Sequence, residues 1–194
     1  LFFDNLTLMS QGLEQRFKLP LLELLLPVLK TLNTDKQQIL LGRALKLIKW
    51  DKQLHLIEIS IYSLLKSSVE TKRSGRSSYD IKKLTLVKYE VNVLISALIH
   101  ATGSHYVNKT KLHERTMAIL MIKTKPLLDE SEVNADTIYK TLKKLKQLSP
   151  FLKRSFLDVC SDVIKDDGIV MAQEYELLRL ICLQLDCPVP LLVK

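Results

Sequence analysis

The sequence predicts an all-α fold, a helical bundle built from two three-helix units with a helical middle section. Five glycines and six prolines among 194 residues are few for a sandwich or barrel with many turns, whereas leucine and lysine are abundant, which favours helices. Apolar residues recur three and four positions apart in most segments, the period of one helix face. Residues 29–65 also align without a gap on residues 145–181 at a constant offset of 116, so one helical unit occurs twice.

The first unit covers residues 1–67. Pro20 fits the first turn of a helix that Pro27 should bend. Asn33 or Thr34 supplies the N-cap of the next helix. The three helices of this unit are expected at residues 20–32, 34–51 and 56–67.

A flexible basic loop is predicted at residues 68–80. The composition changes there to polar residues rich in serine and arginine, with Gly75 at the centre. Segments of this kind form exposed, mobile surface loops. The loop separates the first unit from the middle section.

The middle section covers residues 81–133 and contains two predicted helices. The first lies within residues 81–101 and is expected to be helical at least from Val87; it carries an apolar stripe and stops before Gly103. The second spans residues 108–123, and Pro126 ends that region.

The second unit covers residues 134–194 and has the clearest helix boundaries in the chain. Ser149 followed by Pro150 indicates an N-cap and a first helical position. Gly168 supplies a residue that tolerates positive φ at a helix end. The three helices are expected at residues 134–148, 150–166 and 172–185, the first starting at Asn134 or Asp136.

The charge of the chain indicates an acidic counterpart. The formal net charge is +8 and the isoelectric point is about 9.3. Surfaces that bind nucleic acid are usually rich in arginine, which binds phosphate through two N–H groups, and in aromatic side chains, which stack on bases. Here lysine outnumbers arginine and aromatic residues make up only 6%, so the evidence for nucleic-acid binding is weak. An anionic membrane surface explains the charge equally well, and a solvated lysine surface needs no partner. The candidate contacts on a basic face are Arg73, Arg76, Lys140, Lys143 and Lys144.

No catalytic residues are predicted. His113 and Glu114 begin like the helical motif of a zinc protease, but the fifth position of that run holds Met117 instead of a second histidine. The sequence therefore predicts no zinc site. The pair is expected to be exposed and polar.

The three cysteines predict reduced thiols. An odd number does not suit a closed disulfide framework. Cys160 and Cys182 occupy apolar helical positions and are expected to be packed. Cys187, beside Pro188, is expected to be the exposed one.

Two acidic pairs resemble part of a calcium loop. Asp167, Gly168 and Glu174 have the spacing of its second half, but the earlier ligand positions hold Val163 and Lys165, which do not bind a hard cation. The favoured interpretation is that Gly168 ends one helix and that the Glu174 carboxylate meets free backbone N–H groups at the start of the next. No metal or other cofactor is assigned. The metal candidates left open are Asp51, Glu58, Asp167 and Glu174.

The end of the chain resembles a known family. Residues 177–179, Leu-Leu-Arg, and residues 186–188, Asp-Cys-Pro, follow the Asp-Gly and Glu of the second repeat. This pattern resembles the C-terminal region of the bacterial membrane-bound M48 family of zinc metallopeptidases, described as proteases with chaperone function. The repeated helical unit is in turn similar to the TerB-like fold. The catalytic His-Glu-x-x-His motif of those peptidases is absent from this sequence, and Lys52 replaces the glycine in the first repeat.

The resemblance implies a non-catalytic cytosolic interaction or regulatory domain of a membrane-anchored zinc metalloprotease, built from two TerB-like units. Its partner is expected to be another protein or its own protease domain, with an anionic membrane surface as a further contact, on the cytoplasmic side of the bacterial inner membrane. Zinc is expected only in the protease domain, and no small-molecule substrate is expected. Two alternatives stay open: a free-standing helical adaptor that binds protein, anionic lipid or nucleic acid, and a TerB-like metal-sensing module.

Overall fold

The computed structural model describes residues 15–48, 56–70, 81–101, 108–123 and 126–190. Within these residues the protein is an all-α bundle, as predicted, with an isolated β-bridge between Ile81 and Leu148. A 3₁₀ turn at Leu84–Val87 leads into the fourth helix. The described α-helices are α1 (Gln15–Thr31), α2 (Thr34–Ile48), α3 (Leu56–Glu70), α4 (Lys88–Ala101), α5 (Lys109–Ile119), α6 (Ala135–Leu145), α7 (Pro150–Ile164) and α8 (Ala172–Gln184).

The offset of 116 residues recurs in the helix boundaries. α2 spans Thr34–Ile48 and α7 spans Pro150–Ile164, so both ends are 116 residues apart. α3 and α8 begin at Leu56 and Ala172, which are separated by the same distance. In each copy these two helices pack against each other. The sequence repeat is therefore a repeat of one helical pair, preceded by α1 in the first copy and by α6 in the second.

Capping residues set several helix ends where the sequence places them. Asn33 Oδ1 accepts the Lys36 N–H at 3.0 Å at the start of α2. Asn134 Oδ1 accepts the Thr137 N–H at 3.0 Å at the start of α6. Gly168 follows α7 with a φ of 80°, the conformation that glycine adopts at no steric cost.

Two predicted boundaries of the first unit differ from the structure. α1 begins at Gln15 instead of residue 20, so Pro20 lies inside the helix and not in its first turn. Residues 68–70 belong to α3 instead of a loop, because Val69 is buried in the core and extends the helix. The rest of that predicted loop, residues 71–80, lies outside the described residues. The predicted start of α7 is confirmed, with Ser149 at the N-cap position and Pro150 at the first helical position, although the Ser149 side chain makes no capping hydrogen bond.

α5 ends at Ile119, short of the predicted position 123. Met121 adopts a φ of 54°, and its N–H donates to Ala118 O at 2.9 Å. The Ile122 N–H donates to Met117 O at 3.0 Å. These two bonds form a Schellman-type helix end in which methionine stands where glycine is usual. The turn brings Ile122 into the core, where it is buried.

α4 is the centre of the larger core. Residues 91–99 are all buried, and the helix packs against α5, α6, α7 and α8. A helix that is apolar over most of its surface is stable in a protein only when it is enclosed in this way. Among the described helices, Leu84–Ala101 is the one segment long and apolar enough to cross a membrane, and 56% of it is buried inside the bundle. The predicted middle section and second unit share this core.

α1, α2 and α3 enclose the smaller core, to which α8 contributes Leu180. α3 joins the two cores, since it packs against α1 and α2 and also against α6 and α8. Ser63 Oγ of α3 donates to Gln184 Oε1 of α8 at 3.1 Å in a buried contact. The two copies of the repeat are therefore in direct contact through α3 and α8.

Candidate functional site

The exposed side of α1 is lined with large apolar side chains. Their spacings of four, three, one and three residues place them on one side of the helix. Leu24 is 75% exposed and Val28 is 56% exposed. On the opposite side, Leu22, Leu26 and Leu29 pack in the smaller core. This stripe, the α1 face, consists of Phe17, Leu21, Leu24, Leu25 and Val28.

The repeat provides an internal reference for the α1 face. In chain order, α6 precedes the helical pair of the second copy as α1 precedes that of the first. When the offset of 116 is extended to the residues before the aligned segment, Leu24 and Val28 correspond to Lys140 and Lys144, and all four residues are exposed. A helix side that has no apolar partner normally carries polar or charged residues, as this side of α6 does. The apolar residues at the same positions of α1 indicate a surface that makes contact with something other than water.

α1 is also held on the bundle by polar contacts. Arg179 Nη2 of α8 donates to Glu23 Oε2 at 2.6 Å. Gln37 Nε2 of α2 donates to Leu29 O at 3.1 Å. The Glu23 carboxylate is thereby neutralised beside a stripe whose own five side chains carry no charge. The α1 face is consequently presented on an anchored helix.

The predicted basic face lies on α6. Lys140, Lys143 and Lys144 are exposed there. Lys144 Nζ donates to Glu90 Oε1 at 2.7 Å, so one of the three charges is partly neutralised by α4. Arg73 and Arg76 lie outside the described residues. The structure therefore brings the three lysines together on one helix and leaves their relation to the two arginines a prediction.

Glu174 caps α8, and the capping role predicted for it is confirmed. Its side chain is buried, and Oε2 accepts the Met171 N–H at 2.7 Å. Met171 is the residue before the helix, so this bond satisfies one of the N–H groups that a helix start leaves free. The positive end of the helix dipole stabilises the carboxylate as well.

The other metal candidates are distributed over different local environments. Asp167 is exposed after α7, and its Oδ1 accepts the Ile169 N–H at 2.8 Å. Glu58 is half-buried in the first turn of α3, and Asp51 lies outside the described residues. Among the residues that the structure describes, no group of three His, Cys, Asp or Glu side chains could hold a metal ion. The carboxylates of the second copy bind backbone N–H groups between α7 and α8.

A polar stripe on α4 was not among the predicted site residues. Asn92, Ser96 and His100 are four residues apart and hold the backbone that follows α5. Asn92 Nδ2 donates to Pro126 O at 3.1 Å, and the Leu128 N–H donates to Ser96 Oγ at 3.2 Å. His100 Nε2 lies 2.7 Å from Leu128 O. Polar residues at a spacing of four in an otherwise apolar helix are a signal in the sequence that could have identified this stripe, because buried polar groups need partners.

His113 is buried, and the prediction of an exposed His113–Glu114 pair is wrong. The residue is 1% exposed, and its Nε2 lies 2.6 Å from Asn92 Oδ1. Thr116 and Met117 are buried as well, so His113 belongs to the side of α5 that packs in the core. Burial lowers the pKa of His113 below its ordinary value of 6.5, and the charge of Glu114 offsets this only in part. Glu114 itself is exposed.

The cysteines lie close to the packing of α7 against α8. Cys160 and Cys182 are buried, as predicted, whereas Cys187 is half-buried instead of exposed. Burial raises the pKa of each thiol, that of Cys182 to about 12. Lys153 Nζ, also buried, donates to Leu185 O at 3.0 Å at the end of α8. Protonated thiols of this kind are poor nucleophiles.

The comparisons with known proteins supply no function for this chain. No family model, curated protein or solved structure matches this chain. The resemblance to the M48 family and to the TerB-like fold stays a prediction. Of its Asp-Cys-Pro residues, the structure places Asp186 at a φ of 56° and Cys187 in the turn that ends α8.

Proposed function

We propose that this chain is a non-catalytic helical interaction domain that binds a helix of another protein domain through the α1 face. The observation that carries the proposal is the correspondence of exposed Leu24 with Lys140 and of exposed Val28 with Lys144. A straight apolar stripe on a helix suits an amphipathic helix laid along it. Two kinds of reactive group among the described residues fit a non-catalytic role, since the His113 ring is buried and burial raises the pKa of the thiols.

The partner in this proposal is the protease domain of the same polypeptide, a membrane-anchored M48-type zinc metalloprotease. The domain would regulate that protease on the cytoplasmic side of the bacterial inner membrane. Support comes from the Leu-Leu-Arg and Asp-Cys-Pro residues at 177–179 and 186–188 and from the repeated helical pair. Reading the DNA upstream of the Leu1 codon should reveal His-Glu-x-x-His and hydrophobic spans in the same frame. An upstream frame without them overturns the protease parent in favour of a free-standing helical adaptor.

Two substitutions that copy α6 test the α1 face. Leu24→Lys together with Val28→Lys gives α1 the lysines that its counterpart carries, so the helix should remain folded. In the full-length protease, the rate of hydrolysis of an unfolded protein substrate should change about tenfold. This is the effect of losing ~1.4 kcal/mol of binding free energy between the α1 face and the protease domain. The measurement is the initial rate, with the circular dichroism spectrum as a check on folding.

Gln38→Lys together with Ile39→Lys is the matched control. Both residues are exposed on α2, and Ile39 is a 54% exposed apolar residue outside the α1 face. The control adds the same two charges and should change the rate by less than about twofold, as is usual for surface substitutions. The same rate in the wild type and in both variants contradicts a contact at the α1 face.

A further inference from the structure

Three parts of the chain meet at one end of α4. The Ile81 N–H donates to Gln147 O at 3.3 Å, and the Ser149 N–H donates to Ile81 O at 3.1 Å. These bonds hold the segment before α4 beside the joint between α6 and α7. The ion pair between Lys144 and Glu90, 2.7 Å long, ties the end of α6 to the start of α4. This region, the basic end, consists of residues 81–90 and 140–151.

The basic end carries most of the net charge of the chain. Its residues include seven lysines and one carboxylate, Glu90, so its formal charge is +6 of the chain's +8. Glu90 binds Lys144, and Asp186, from outside these segments, binds Lys146 at 2.8 Å. The remaining charge is presented to solvent. The exposed lysines are Lys82, Lys83, Lys88, Lys140, Lys143 and Lys144.

Large apolar side chains are exposed in the same segments. Phe151 is 79% exposed and Leu86 is 64% exposed, and Tyr89 is also exposed. Exposed apolar side chains among lysines are typical of proteins that bind the interface of an anionic membrane. Nucleic acid is a poorer match, because the segments of the basic end contain no arginine for forked binding of phosphates.

We propose that the basic end docks on an anionic lipid surface. Leu86 and Phe151 enter the boundary between headgroups and acyl chains, and the exposed lysines of the basic end bind the headgroup phosphates. This contact uses residues distinct from the uncharged α1 face. The lipid proposal and the proposed function can therefore fail independently.

Sedimentation of the purified chain with lipid vesicles tests the proposal. Binding to phosphatidylcholine vesicles that contain about a quarter phosphatidylglycerol should exceed binding to pure phosphatidylcholine at least about tenfold. Added salt should weaken it, because exposed charges are screened. Lys82→Glu together with Lys83→Glu should lower the binding to anionic vesicles about tenfold. An absence of binding to the anionic vesicles overturns the proposal.

Lys36→Glu together with Lys111→Glu is the matched control for charge. Both lysines are exposed and lie in the first turns of α2 and α5, where glutamate is favoured by the helix dipole. The control changes the net charge of the chain by the same amount and should change vesicle binding by less than about twofold. An equal loss in both variants shows attraction by overall charge alone and overturns a docking surface at the basic end.

Leu86→Ser together with Phe151→Ser distinguishes lipid from nucleic acid. Both side chains are exposed, so the circular dichroism spectrum should match that of the wild type. Vesicle binding should fall about tenfold, because the apolar contact with the interface is lost. A single-stranded DNA oligonucleotide of mixed sequence is the competing probe. If the chain binds it more tightly than the vesicles, and both apolar substitutions leave vesicle binding unchanged, the partner is a nucleic acid and the lipid proposal is overturned.

Discussion

His113 Nε2 lies 2.6 Å from Asn92 Oδ1 inside the larger core. Because Asn92 Nδ2 donates to Pro126 O, the Asn92 oxygen is the acceptor and the proton of the histidine ring is on Nε2. The other ring nitrogen, Nδ1, is buried and has no hydrogen-bond partner within the described ranges. A second proton on the ring would bury an N–H group and a charge without an acceptor. This is the physical reason why burial lowers the pKa of His113.

The free energy of unfolding should fall as the pH is lowered through 6.5. In the unfolded chain His113 binds a proton near its ordinary pKa of 6.5, whereas in the folded chain it does so only at lower pH. Between these two pKa values the unfolded state binds more protons, so stability is lost as the pH falls through this window. Urea unfolding at a series of pH values from about 8 to about 5 measures the effect.

His113→Gln should remove this part of the pH dependence, since glutamine can still donate to Asn92 but does not titrate. His100→Gln is the comparison, because it removes a histidine of the polar stripe on α4 and leaves His113 in place. A pH dependence that is the same in the wild type and in His113→Gln contradicts the role assigned to His113.

Met121→Gly should stabilise the protein by about 1 kcal/mol, because a side chain at positive φ is strained and glycine is not. Met121 has a φ of 54° and is 87% exposed, so little packing is lost with its side chain. Urea unfolding gives the free energy difference. Ile119→Gly, two residues earlier at the last residue of α5, should instead destabilise, by up to about 1 kcal/mol. Destabilisation by both substitutions contradicts relief of strain at Met121.

Local signals in the sequence predicted local structure well. Asn33 and Glu174 accept hydrogen bonds from N–H groups at most three residues away, and Gly168 ends its helix through its own backbone conformation. Nearby residues therefore suffice to predict these helix ends. His113 was predicted wrongly because its burial depends on α4, whose Asn92 is 21 residues away.

The α1 face was not predicted, because α1 is apolar on both sides and periodicity does not show which side is covered. Leu22 is half-buried, whereas its neighbours Leu21 and Leu24 are exposed. A comparison of the two copies beyond the aligned residues 29–65 indicates the exposed side, because at the same offset of 116 Leu24 corresponds to Lys140. The packing of α3 on α6 and α8 could not be predicted from the sequence either, because it joins segments far apart in the chain.

Glu174→Ala should destabilise the protein by about 1 to 2 kcal/mol, because the Met171 N–H loses its capping carboxylate at the start of α8. Glu114→Ala, at an exposed position of α5, should change stability by less than about 0.5 kcal/mol. Calcium should leave the thermal midpoint of the wild type unchanged, since the carboxylate is engaged by the backbone. A calcium-dependent rise in the midpoint that Glu174→Ala abolishes contradicts the capping interpretation and favours a metal-sensing module.

Cys187 should be the one thiol that reacts with dithionitrobenzoate in the folded chain. Cys160 and Cys182 are buried, and burial raises the pKa of the Cys182 thiol to about 12, so neither supplies a thiolate at neutral pH. Burial raises the pKa of Cys187 too, but the Lys153 ammonium partly offsets this. Its reaction should therefore be slower than that of free cysteine and should disappear in Cys187→Ser, whereas denaturant should expose all three thiols of the wild type. A fast reaction of Cys160 or Cys182 in the folded chain contradicts the packing of α7 against α8, because those thiols are accessible only when the two helices separate.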